Sequence, residues 1–174
     1  MRLNVCLAAL AATFVAVTPA MAASTATATA NAKGVVLQSL TLNWIKDLDF
    51  GTVAGDPLAG GNVTVDANSG ARSTTGAIVA LPGTFSRAQF DGFASPNVPV
   101  GLTLTQPAGG VICNGAGCVN TIGAVLALDQ SGATTRNSGT TGAFTVNVGG
   151  TFSLSAGQPA GLYTAQFDLT AVYP

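Results

Sequence analysis

Side chains able to do chemistry are scarce in this chain, and among them are two closely spaced thiols, Cys113 and Cys118, in Val-Ile-Cys-Asn-Gly-Ala-Gly-Cys-Val-Asn. Gly115 and Gly117 free the backbone between them to turn tightly, so the pair is expected to close as a disulfide that staples its own loop. Closing so short a loop contributes about 2 kcal/mol in the chain-entropy account. Metal binding is the other chemistry open to two thiols. Four ligands are then wanted, and the chain has no His.

The acidic side chains are seven Asp, with no Glu. Acid-base catalysis most often uses His or a close carboxylate pair. The only near pair, Asp47 and Asp49, flanks Leu48 just after Lys46 and reads as a solvated turn. The expectation is no enzyme, no cofactor and no catalytic residue. Asp66-Ala-Asn68-Ser-Gly70 resembles the opening of a calcium loop, but position twelve of such a loop wants an acidic ligand and here holds Ala77. A hairpin turn accounts for the same residues, and no metal site is expected. Trp44, Tyr163 and Tyr173 could form a sugar-binding platform; their inward positions on alternating strands favour core packing.

The N-terminus reads as an export signal: a basic Met1-Arg2, an apolar run over residues 5–17 and the small-x-small site Ala20-Met21-Ala22. The run falls short of the about 20 residues that span a bilayer. The expected organisation is a signal peptide at 1–22, an N-terminal arm at 23–34 and a β-sandwich domain at 35–174. Without the leader, five Lys and Arg face seven Asp, a net charge of −2, which does not suggest nucleic acid or anionic lipid as a partner. No transmembrane segment is expected after cleavage. In the arm, Ala26, Ala28, Ala30 and Ala32 alternate with Thr25, Thr27, Thr29 and Asn31, the periodicity of a strand with little to bury.

Beyond the arm, turn signals recur every 8–12 residues or so between short alternating runs, which predicts about eight or nine strands. Residues 35–44 form the first core strand. Val63 and Val65 face inward from the next, residues 76–81 and 84–90 pair around Pro82-Gly83, and Val98, Val100, Leu102 and Leu104 share a face. Phe144, Val146 and Val148 lie on one strand, and Gly149-Gly150 connects it to another at 151–155. Residues 161–173 alternate most regularly, with Tyr163, Ala165, Phe167, Leu169, Ala171 and Tyr173 on one face. As one strand they would run roughly 43 Å at about 3.3 Å per residue. The fold class is all-β, an immunoglobulin-like antiparallel sandwich.

The stretch Val148-Gly-Gly-Thr-Phe-Ser-Leu-Ser-Ala-Gly-Gln-Pro-Ala-Gly-Leu-Tyr163, running on to Tyr173, resembles the C-terminal signature of a family of secreted bacterial domains of unknown function. Leu48-Asp-Phe-Gly-Thr-Val53 and Gly70-Ala-Arg-Ser-Thr-Thr-Gly76 are similar to other parts of its pattern. The same ending resembles the closing strand of chaperone-usher pilus subunits, including the archaic, spore-coat-U-like pilins. That resemblance implies an incomplete sandwich, completed first by a periplasmic chaperone and then by the arm of another subunit, with an outer-membrane usher as a further partner. It implies that Tyr163, Phe167, Leu169 and Tyr173 flank a groove and that Ala26, Ala28, Ala30 and Ala32 insert into one. The expected product is a surface pilus or fibre, reached through the periplasm. The alternative is a self-complete secreted sandwich that binds a glycan or protein ligand at the cell surface. Two departures from the pilin pattern stand out: the inserting residues are only alanines, and Pro174 follows the terminal Tyr173.

Overall fold

The computed structural model describes residues 25–115 and 117–174. The expected signal peptide, and residues 23–24 of the arm, lie outside the described residues. The chain divides into two units, the first ending at Val35 and the second beginning at Val36. In the first, residues 25–35 carry no helix or strand and are exposed throughout.

The second unit is an all-β, antiparallel, sandwich-like fold. Its strands in chain order are β1 (Thr41–Lys46), β2 (Val53–Ala54), β3 (Gly61–Val65), β4 (Arg72–Gly76), β5 (Val79–Ala80), β6 (Ala88–Phe93), β7 (Pro99–Thr105), β8 (Val111–Asn114), β9 (Asn120–Leu128), β10 (Thr135–Asn137), β11 (Ala143–Leu154), β12 (Tyr163–Thr164) and β13 (Asp168–Val172). A curled eight-stranded sheet runs β1-β6-β11-β9-β8-β12, with β3 on β11 and β4 on β3; β10-β7-β13 form a second sheet and β2-β5 a small ribbon. The thirteen strands exceed the eight or nine expected, because several are only two or three residues long.

One strand organises the larger sheet. In β11 the even-numbered side chains Phe144, Val146, Val148, Phe152 and Leu154 are all buried, the period-two pattern of a half-covered strand. Its first half pairs with β6 and its second with β3 on the same edge. Gly149-Gly150, expected as a connection between two strands, lies inside this single strand. A Cβ at Gly149 would collide with the backbone of Val65 and Ala67, so glycine is what lets β3 approach where the partner changes. The core divides accordingly: Ala88, Val100, Leu126, Leu128 and the first half of β11 form one cluster. Val63, Ile78, Ile122 and the second half of β11 form the other.

Three further expectations change. Residues 76–81 and 84–90 do not pair with each other: β5 pairs with β2, and β6 lies between β1 and β11. Regular structure in the first strand begins at Thr41, and Val35 and Val36 are almost fully exposed. The final alternating stretch is not one long strand. Residues 165–167 interrupt it, so that β12 pairs with β8 in the large sheet while β13 pairs with β7 in the small one. Alternation survives this crossover because each half presents one face to a core and the other to water.

Candidate functional site: an open seam between the first and last strands

Both β1 and β13 are edge strands. Among the described residues β1 is hydrogen-bonded only to β6, and β13 only to β7. They flank the same core cluster from opposite sheets, where Leu40, Leu42, Phe90, Phe167, Leu169, Ala171 and Tyr173 pack on its rim without being fully buried. Beneath the seam Phe167 meets Phe90 edge to face, ring centroids 6.2 Å apart, which ties the two sheets together.

At one end the seam is closed. The Tyr173 hydroxyl accepts a hydrogen bond from the Ser95 N–H and donates one to the Gln38 carbonyl, both at 2.8 Å. The Gln38 N–H in turn donates to Ser95 Oγ at 2.6 Å. The C-terminal end of β13 therefore sits against the residues that lead into β1, and the two strands run antiparallel. Toward the other end the seam widens into a groove of about 450 Å³, floored by Leu42, Phe90, Phe167 and Leu169. Lys46, Asp47 and Asp168 stand at its mouth.

Trp44 makes the opening plain. It shares the inward face of β1 with Leu40 and Leu42, yet it is 62% exposed. Core packing was expected of it; instead none of the described residues covers its face, and its indole N–H is held by the Asp47 carboxylate at 3.0 Å. The groove thus combines unpaired backbone on two strands with an apolar floor, the requirements for accepting an extended segment by strand addition.

The residues singled out from sequence separate into groups. Phe167 and Leu169 line the groove, and Tyr173 locks its closed end. Tyr163 lies elsewhere: it packs beside Ile112 on the second core cluster, and its hydroxyl donates to the Pro159 carbonyl. Cys113 and Cys118 are joined as a disulfide, their Cα atoms 4.8 Å apart, at the tip of the β8–β9 hairpin. Ala26, Ala28, Ala30 and Ala32 belong to the exposed first unit.

Asp49 and Asp66 serve turns. Asp49 accepts from the Gly51 N–H, and the Asp66 carboxylate accepts from the N–H groups of Asn68 and Ser69 and from the Ser69 hydroxyl. Those bonds, led by the Ser69 N–H, hold the Asp66 carboxyl below its ordinary range. The expected hairpin turn accounts for the motif: Gly70, at φ 73°, returns the chain from β3 to β4.

Sequence reasoning missed the opposite side of the groove, Leu42 and Trp44 on β1 with Phe90 on β6, as well as the Gln38–Ser95 latch. The alternation of Leu40, Leu42 and Trp44 marked a face, but no local signal says that the face lacks a partner.

The family model described as Domain of unknown function (DUF4402) matches residues 40–173. The chain belongs to this family. Its match begins at Leu40 and ends at Tyr173, the first and last side chains on the rim of the seam, so the DUF4402 domain includes both walls and leaves out the arm. Neither a curated protein nor a solved structure matches the chain. Among the described residues of this DUF4402 protein, no helix is long and apolar enough to cross a membrane.

Proposed function

We propose that the chain is an exported subunit of a surface pilus or fibre, assembled when the N-terminal arm of one copy, residues 23–34, enters the β1–β13 groove of another. The observation that carries this reading is the open seam, with Trp44 exposed on an inward-facing position between two unpaired strand edges. Export is supported by the leader-like N-terminus and by the disulfide, a bond at home in oxidising compartments.

Because the arm and the groove are different surfaces of the same chain, their contact is head-to-tail, which propagates into a filament where rotation does not close it into a ring. The alanines of the arm contribute modestly: at about 0.8 kcal/mol per buried methyl-sized group, four add roughly 3 kcal/mol. Most of the attachment then comes from backbone pairing along both edges, which tolerates small side chains. A periplasmic chaperone would cover the groove before assembly, and an outer-membrane usher would order the subunits.

The chain has a single tryptophan, so the groove reports its own occupancy. A synthetic peptide of residues 25–33, titrated into a version lacking residues 23–33, is expected to shift Trp44 emission to the blue as the indole loses water. Saturating peptide with no change in emission refutes the reading. A second reading, a glycan held against the exposed Trp44 face beside Asp47, predicts the same shift with an oligosaccharide and none with the peptide.

A further inference from the structure

We infer that Gln106 blocks strand addition at a second seam of the sandwich, so that of its two apolar grooves each copy accepts a strand in only one. The inference rests on the strand-accepting reading above. β7 is flanked by β13 along residues 101–105, but on its other side β10 reaches only Pro99 to Gly101. Among the described residues, one edge of residues 103–105 is therefore without a strand. β9 pairs with β11 along residues 123–128, whereas β8 covers its opposite edge only as far as Gly123. Between these two bare edges lies a second groove of about 450 Å³, lined by Leu102, Leu104, Leu126 and Leu128. Its ingredients match those of the first: two free edges, an apolar floor and comparable room.

What differs is a side chain. Gln106 follows directly after β7, and its amide faces the bare edge of β9. Nε2 donates to the Leu126 carbonyl at 2.8 Å, and Oε1 accepts from the Leu126 N–H at 2.8 Å. A carboxamide carries one donor group and one acceptor on the same carbon, as a peptide unit does across its bond. Gln106 therefore makes to Leu126 the two bonds that a neighbouring strand would make. An incoming strand would have to break both at the centre of the edge. Among the described residues no side chain is hydrogen-bonded to the backbone of β1 or β13, so the first seam stays receptive where the second is capped.

The test uses the full mature chain, as wild type, Gln106→Ala and Gln106→Met. The methionine keeps the length of the side chain without its bonds, and serves if the alanine variant fails to fold. Each chain is held in excess synthetic peptide of residues 25–33, and the peptides bound per chain are counted by native mass spectrometry. One peptide is expected on wild type and two on the variants. Without peptide, fibres seen in negative stain are expected to be unbranched for wild type and branched for the variants, since each subunit then offers two acceptors. One peptide on all three chains with unbranched fibres throughout overturns the role of Gln106 and leaves the strand-accepting reading standing. No peptide on any chain overturns both.

Discussion

Replacing Cys113 and Cys118 together by serine should loosen a strap that runs from the disulfide hairpin to the groove. The backbone of Cys113 pairs with Thr164, and Asn114 with Tyr163. Gln158 extends the same attachment, donating through Nε2 to the Thr121 carbonyl of β9 at 3.1 Å and to the Tyr163 hydroxyl at 2.9 Å. Directly after β12 come Ala165, Gln166 and Phe167, which form part of the groove wall. The hairpin tip thus holds β12, and β12 sets where the wall begins. Releasing a six-residue ring costs about 2 kcal/mol, or roughly 4–8 °C in Tm for a domain of this size. If that loss is local, amides of residues 163–167 should exchange hydrogen about thirtyfold faster. Exchange in β11, at the centre of the sheet, should change far less. Hydrogen exchange followed by mass spectrometry on both proteins resolves the two segments. Equal acceleration in β11 and in residues 163–167 would refute the coupling, as would no change in the latter.

Other consequences follow from single contacts. Tyr173→Phe removes the acceptor of the Ser95 N–H, which lies in a residue only 7% exposed; an unsatisfied buried donor costs about 1–3 kcal/mol, measurable as a lower urea midpoint with unchanged m-value. Asp129 is buried, paired with Arg136 and bonded through its other oxygen to Asn147 Nδ2 at 2.8 Å. Asp129→Asn leaves the guanidinium charge uncompensated and should cost about 3–5 kcal/mol in chemical denaturation, and a loss under about 1 kcal/mol would contradict the assignment. Asp66 titrates below its ordinary value in the folded chain, so its contribution is complete above the unfolded carboxylate pKa and is lost as pH falls through the lower folded one. Wild type should therefore lose its stability advantage over Asp66→Asn on acidification below about pH 4, read as converging thermal midpoints.

Alternation carried much of the fold into view. Val63 and Val65, Val100 and Leu102, and the even-numbered residues of β11 are buried where a period of two places them, because a strand between core and water repeats with the pleat whatever its partner. Partners themselves are not written in that period. Residues 161–173 keep perfect phase through residues 165–167, so nothing local marks the passage from one sheet to the other. Gly149-Gly150 reads as a turn in isolation and serves as a close approach of β3, a distinction set by a segment more than eighty residues away. Within the site, Phe167, Leu169 and Tyr173 were legible as one wall. The opposite wall was legible only as a face: Trp44 looks like core by position, and its exposure arises from the missing neighbour. The disulfide followed from the expectation of export together with one close cysteine pair around two glycines, which needs no distant partner.

The central claim is that copies of this chain join by donating their arms. Negative-stain microscopy of the chain from Ala23 onward, beside a version lacking residues 23–33, tests it most directly. Thin fibres from the first and none from the second are the expected result. Monodisperse particles of one-subunit mass from both, with Trp44 as exposed in one as in the other, would contradict it.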